Sequence, residues 1–175
     1  MMSSTLPAID LSLLVIRFGL GVVLLAHGYN HVFGGGKIAG TARWFASLGM
    51  RPGLLHAWLA SATELGVGVL LVLGLGTPLA CAGVIGTMGV ALITNHLKNG
   101  FFIFRPGEGY EYVLVLILMA IGLAGLGAGK WSLDNALSWW QPGGWQGLGI
   151  ATFAGCGSAA ALLATFWRPA GTTVE

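Results

Sequence analysis

Five apolar runs, each long enough to cross a bilayer, follow one another along a chain of 175 residues. At 1.5 Å of rise per residue, about 20 apolar residues in a helix cover the roughly 30 Å hydrocarbon core. The runs occupy residues 11–33, 54–76, 79–97, 110–128 and 145–167. A backbone in lipid must satisfy its own N–H and C=O groups, which makes helices of such runs. The predicted fold is therefore an all-α integral membrane protein, a four-helix transmembrane bundle with a fifth transmembrane helix and short interfacial helices. On this reading residues 1–135 hold the bundle, and residues 136–175 hold an interfacial segment and the additional C-terminal helix. Composition agrees, since 8% of the residues are charged against roughly 25% in soluble domains.

The breaks between runs have their own chemistry. Thr77 and Pro78 separate the second and third runs, and proline suits the first turn of a helix, so these two form a tight hairpin. Glycines 147, 149, 155 and 157 interrupt the fifth run. In 131–141, Leu133, Ala136, Leu137 and Trp140 recur at the spacing of one helix face, with Ser132 as N-cap, which predicts a helix lying on the membrane. The stretch 41–50, with Trp44, Phe45 and Leu48, reads in the same way. The 30 glycines fit close helix packing in lipid, with Gly125 and Gly129 in one G-x-x-x-G and Gly83, Gly86 and Gly89 forming a ridge.

A net charge of +2 from scattered basic residues excludes a nucleic-acid surface. Cys81 and Cys156 stand apart in apolar stretches, so neither a disulfide framework nor a zinc motif is present in the pattern. Residues 1–10 contain no Lys or Arg, and no small-residue cleavage pattern closes the first run, so a cleaved signal peptide is not expected. Lys37, Arg43, Arg51, Lys98, Arg105 and Arg168 fall on one side of the bundle and Lys130 on the other. The positive-inside rule then predicts a multi-pass protein of the cell membrane with its N-terminus outside and its C-terminus cytoplasmic.

Ionisable groups inside lipid usually pair or line a pathway. His27 and His31 lie in the last turns of the first run, Glu64 in the middle of the second, His96 at the end of the third and Glu111 at the start of the fourth. Because the runs alternate in direction, all but Glu64 gather toward one face. His31, His96 and Glu111, taken singly, are near enough to helix ends to reach the headgroups, whereas Glu64 is not. His27, Glu64, His96 and Glu111 are the candidate catalytic residues. Arg17, Asn30, His31 and Tyr112 are candidate cofactor-binding residues.

The order R-x-x-x-G-x-x-x-x-x-H-G from Arg17, Glu64 within A-T-E-L-G-V-G-V-L-L-V-L-G-L-G-T-P-L-A, His96, Glu111–Tyr112 and G-A-G-K-W-S-L-D ending at Asp134 resembles the DoxX family over residues 11–135. That resemblance implies a four-helix transmembrane bundle associated with quinone-linked membrane oxidoreductases and with sulfur, thiol or oxidative-stress metabolism. The family often carries lysine where this chain has His31, and the fifth run lies beyond the resemblance.

The leading expectation is a membrane subunit of a quinone-linked redox system, its His/Glu cluster binding quinone or transferring protons. Histidine and carboxylate suit that task because their pKa values can be brought near neutrality. No redox centre is visible in the chain, so electrons would come from partner subunits, redox proteins or a bound cofactor. One alternative is a haem or metal site built on His27 and His31, which share a helix face. Another is a non-catalytic assembly or anchoring subunit, and a transporter is a further class, although no matching pair of broken helices is visible.

Overall fold

The computed structural model describes residues 5–138 and 140–169, all-helical and without strands among them. Helix α1 spans Thr5–Phe33, α2 Lys37–Ser47, α3 Gly53–Leu73, α4 Thr77–Ala91, α5 Glu111–Leu126, α6 Leu133–Ala136 and α7 Gly144–Phe166. Helix α4 continues through a π-helical turn, Leu92–His96, into a short 3-10 turn, Leu97–Asn99. Four helices are long and apolar enough to cross a membrane: α1, α3, α4 with its continuation to Asn99, and α7. The chain is thus a polytopic membrane protein. The expected span at 110–128 is the shorter α5, whose 16 residues extend about 24 Å.

Small residues set the helix spacing. Gly21 of α1 and Gly68 of α3 face each other so closely that a Cβ on either would meet the other's carbonyl oxygen at 2.8 Å. Such backbone contact replaces the hydrophobic drive that lipid cannot supply. The ridge on α4 faces two neighbours, with Gly83 under Val67 of α3 and Gly86 under Gly155 and Ser158 of α7. Helix α7 packs on α4 as extensively as α1 packs on α3, and it also meets α5. The Gly125/Gly129 pair is not a helix-packing motif. Gly125 abuts Leu148 of α7, but Gly129 lies beyond the end of α5 at φ +76°.

The interfacial helices depart from expectation in opposite senses. Helix α2 begins four residues earlier than the predicted stretch, at Lys37. The stretch 131–141 contains only the four-residue α6, and its Trp139 lies outside the described residues. Ser132 does cap this helix, accepting from the Asn135 N–H at 3.2 Å. Asp134 ends the amphipathic pattern because its side chain turns into the protein instead of toward water.

Asp134 and Arg17 together clamp the α3–α4 turn. The Asp134 carboxylate accepts from the N–H groups of Gly76 (2.7 Å) and Thr77 (3.1 Å) and from the Thr77 hydroxyl (3.0 Å), capping α4 from a distant segment. Arg17 donates to the carbonyls of Leu71 (3.0 Å) and Trp131 (2.6 Å). A carboxylate therefore sits at a helix N-terminus and a guanidinium at a helix C-terminus, the favourable placement for both helix dipoles. At the opposite end, Met50 and Trp167 form an isolated antiparallel bridge, and the Trp167 indole donates to the Leu48 carbonyl at 2.9 Å.

Candidate functional site

Between these two ends lies a cavity of about 270 Å³, walled by α1, α2, α3, α4 with its π turn, α5 and α7. All four histidines of the chain, His27, His31, His56 and His96, line it. The volume is near the lower end of small-molecule sites, roughly 300–1,000 Å³, and suits a single substituted ring. Most of the remaining wall is apolar, including Phe45, Met50, Leu59, Met88 and Leu162.

Helix α1 presents His27 and His31 one turn apart, but their surroundings differ. His31 Nδ1 lies 3.0 Å from Glu64 Oε2 of α3, at ion-pair distance yet off the line of a hydrogen bond, and neither atom has an aligned partner. Glu64 itself is buried behind this histidine and is not part of the cavity wall. The His27 ring lies nearly parallel to that of Tyr112, with centroids 6.3 Å apart.

The π turn at the end of α4 carries Thr94 and His96 into the interior. Such turns change the angular register of a helix and recur at functional sites. His96 Nδ1 is 2.9 Å from the Glu108 carbonyl oxygen. A carbonyl can only accept, so Nδ1 carries the proton and Nε2 of the neutral ring is the acceptor. The Tyr112 hydroxyl, 3.0 Å from Nε2, donates to it. The loop preceding α5 thereby fixes the tautomer of a histidine on α4 and aims a tyrosine hydroxyl at it.

His56 was not singled out by the sequence reading. It is 2% exposed on the first turns of α3, its ring packs edge-on against Phe166 of α7, and its Nε2 has no protein partner. An unpaired buried polar atom costs about 1–3 kcal/mol, which a bound ligand would recover. The available signal was its being one of only four histidines in a chain poor in titratable groups.

Three of the anticipated site residues lie away from this cavity. Arg17 is fully buried at the far end of the bundle in the α3–α4 clamp. Asn30 is on an exposed flank of α1, its side chain against the turn at Gly34. Glu111 accepts from the Ile103 N–H at 3.2 Å and braces the loop before α5. Among the described residues no three His, Cys, Asp or Glu side chains gather closely enough to hold a metal ion. His27 and His31 share a helix face but turn to different partners.

Residues 12–97 match the model of the DoxX family, so this stretch is a DoxX family domain. It contains α2, α3, α4 and most of α1, and with them all four histidines and Glu64. Tyr112, Asp134 and α7 lie outside the matched residues. No curated protein and no solved structure matches the chain.

Proposed function

We propose that this DoxX-domain protein is the membrane subunit of a quinone-linked redox system, and that its histidine cavity binds the quinone head group and exchanges protons with it. The observation that carries this reading is the convergence of every histidine in the chain on one ring-sized, mostly apolar cavity within membrane-spanning helices. Reduction of a quinone to a hydroquinone takes two electrons and two protons, the protons ending on the two ring oxygens. The electrons would come from a partner redox protein. This chain contributes the proton-bearing groups: Tyr112 with its acceptor His96, His27 beside Tyr112, and His31 backed by the Glu64 carboxyl. Proton transfer by positioned histidine is efficient when its pKa lies near ambient pH. The excess of Lys and Arg in the loops at the α2 end of the cavity supports a cytoplasmic orientation for that end.

Purified protein in lipid nanodiscs should bind a benzoquinone with a saturable affinity, read by quenching of tryptophan fluorescence, since Trp44 is in the cavity wall. His96→Ala and Tyr112→Phe should each weaken that binding by about tenfold, the loss of one or two hydrogen bonds. Equal binding by wild type and both variants would remove the basis of the proposal.

A further inference from the structure

The walls of the cavity are closed to different degrees. On the α2 side it is roofed by Phe45 and by Met50, which is 0% exposed. The Met50–Trp167 bridge, the Arg51 N–H to Phe166 carbonyl bond (3.2 Å) and the Arg168 N–H to Gly49 carbonyl bond (2.8 Å) zip that roof to the end of α7. Deeper in the bundle α3 and α7 both pack on α4 but hardly touch each other. The floor between them is α4 at Gly83, Gly86 and Thr87, with Val67 and Ser158 packed close over the two glycines, and the rims are Leu59 of α3, 44% exposed, and Ser158 of α7, also exposed. Trp44 is half-exposed on the other flank, at the level of the interfacial helix. Both rims of the α3–α7 gap belong to helices long and apolar enough to cross a membrane.

We propose that the cavity is filled sideways from the bilayer, through the α3–α7 gap, by an amphiphile whose flat polar head reaches His56 and whose hydrocarbon tail lies over α4 at Thr87. This rests on the quinone reading and specifies a tailed, lipid-dissolved quinone as its ligand. His56 is the head-group contact on the α3 wall, opposite Tyr112 and His96. Its unpartnered Nε2 accepts from a hydroquinone O–H in one tautomer and donates to a quinone carbonyl in the other. Helix α7 supplies the second rim, so a helix outside the DoxX domain shapes access to a site whose histidines lie inside it.

The test uses the full chain in nanodiscs, with Cys81→Ala and Cys156→Ser removing the native thiols, and reporter thiols from Thr87→Cys at the floor or Phe104→Cys in the loop. Phe104 is 80% exposed. A maleimide with a dodecyl chain should modify position 87 about tenfold faster than a sulfonated maleimide does, since hydrocarbon excludes the charged reagent. The sulfonated reagent should modify position 104 readily. A decyl-tailed benzoquinone should slow dodecyl-maleimide labelling at position 87, and His56→Leu should abolish that protection. Ready labelling of position 87 by the sulfonated reagent would mean access from water and overturn the proposal. Lipid-side labelling without quinone protection would leave the lateral gap standing and defeat the quinone reading. Protection that survives His56→Leu would remove His56 from the site.

Discussion

Arg17 and Glu64 are both buried ionisable residues on adjacent helices, yet the bundle uses them differently. Arg17 spends its donors on backbone carbonyls at the α3–α4 clamp. Arg17→Met should therefore lower the detergent unfolding midpoint, by a loss of about 1–3 kcal/mol from orphaned carbonyls, and leave quinone affinity of the folded fraction unchanged. A stable Arg17→Met protein with lost quinone binding would return Arg17 to the site. Glu64 makes no side-chain hydrogen bond to backbone among the described residues and lies 3.0 Å from His31 Nδ1. Glu64→Gln keeps shape and removes the titratable proton, so it should insert normally and fail to restore the redox or stress phenotype of a deletion strain. The double variant Glu64→Gln/His31→Gln should be no worse than either single variant, because groups that act as a unit are non-additive. Full complementation by a well-expressed Glu64→Gln protein would exclude proton handling through this pair.

At the scale of elements, helix ends matter more than helix bodies. The start of α4 has no cap from its own neighbouring residues and depends on Asp134, 57 residues from Thr77. Asp134→Ala should destabilise the protein by about 1–2 kcal/mol, as loss of an N-cap does, and the effect should appear as faster amide hydrogen exchange at Gly76 and Thr77. Unchanged exchange there would mean that Asp134 is not the cap. The far end of the same helix illustrates the opposite design. Its π turn, followed by a 3-10 turn, delivers His96 to the cavity wall and leaves Lys98 outside. Loop residues then hold what the helix delivers, through the Glu108 carbonyl on His96 and the Glu111 carboxylate on Ile103.

For the whole molecule, orientation is the property that loop charge sets most directly. Cysteines placed beside Lys37 or Arg105, with Cys81 and Cys156 replaced, should be shielded from an impermeant thiol reagent in intact cells. Labelling at either position would put the roofed end of the cavity outside. The order of the apolar helices was legible from hydropathy alone, because a backbone in lipid has no alternative to internal hydrogen bonding, but the run at 110–128 read as a full span and folds as the 16-residue α5. The histidine-rich polar end of the bundle was legible too, since titratable groups are rare in such a chain. Which groups meet was not, for helix rotation and tilt are set by packing between segments. Reciprocal glycine contact between α1 and α3 determines that His31 faces Glu64, and the π turn aims His96 at Tyr112. Arg17 looked functional by its depth in a span, but the carbonyls of Leu71 and Trp131 come to it only once three segments converge. His56 joins the site only through the packing of the end of α7 against it, in a place where its Nε2 is buried without a protein partner. Local sequence thus determined what must lie in the membrane, because solvation is a property of each segment. Tertiary structure decided which polar groups share a cavity, because contact between helices depends on the shapes of all of them at once.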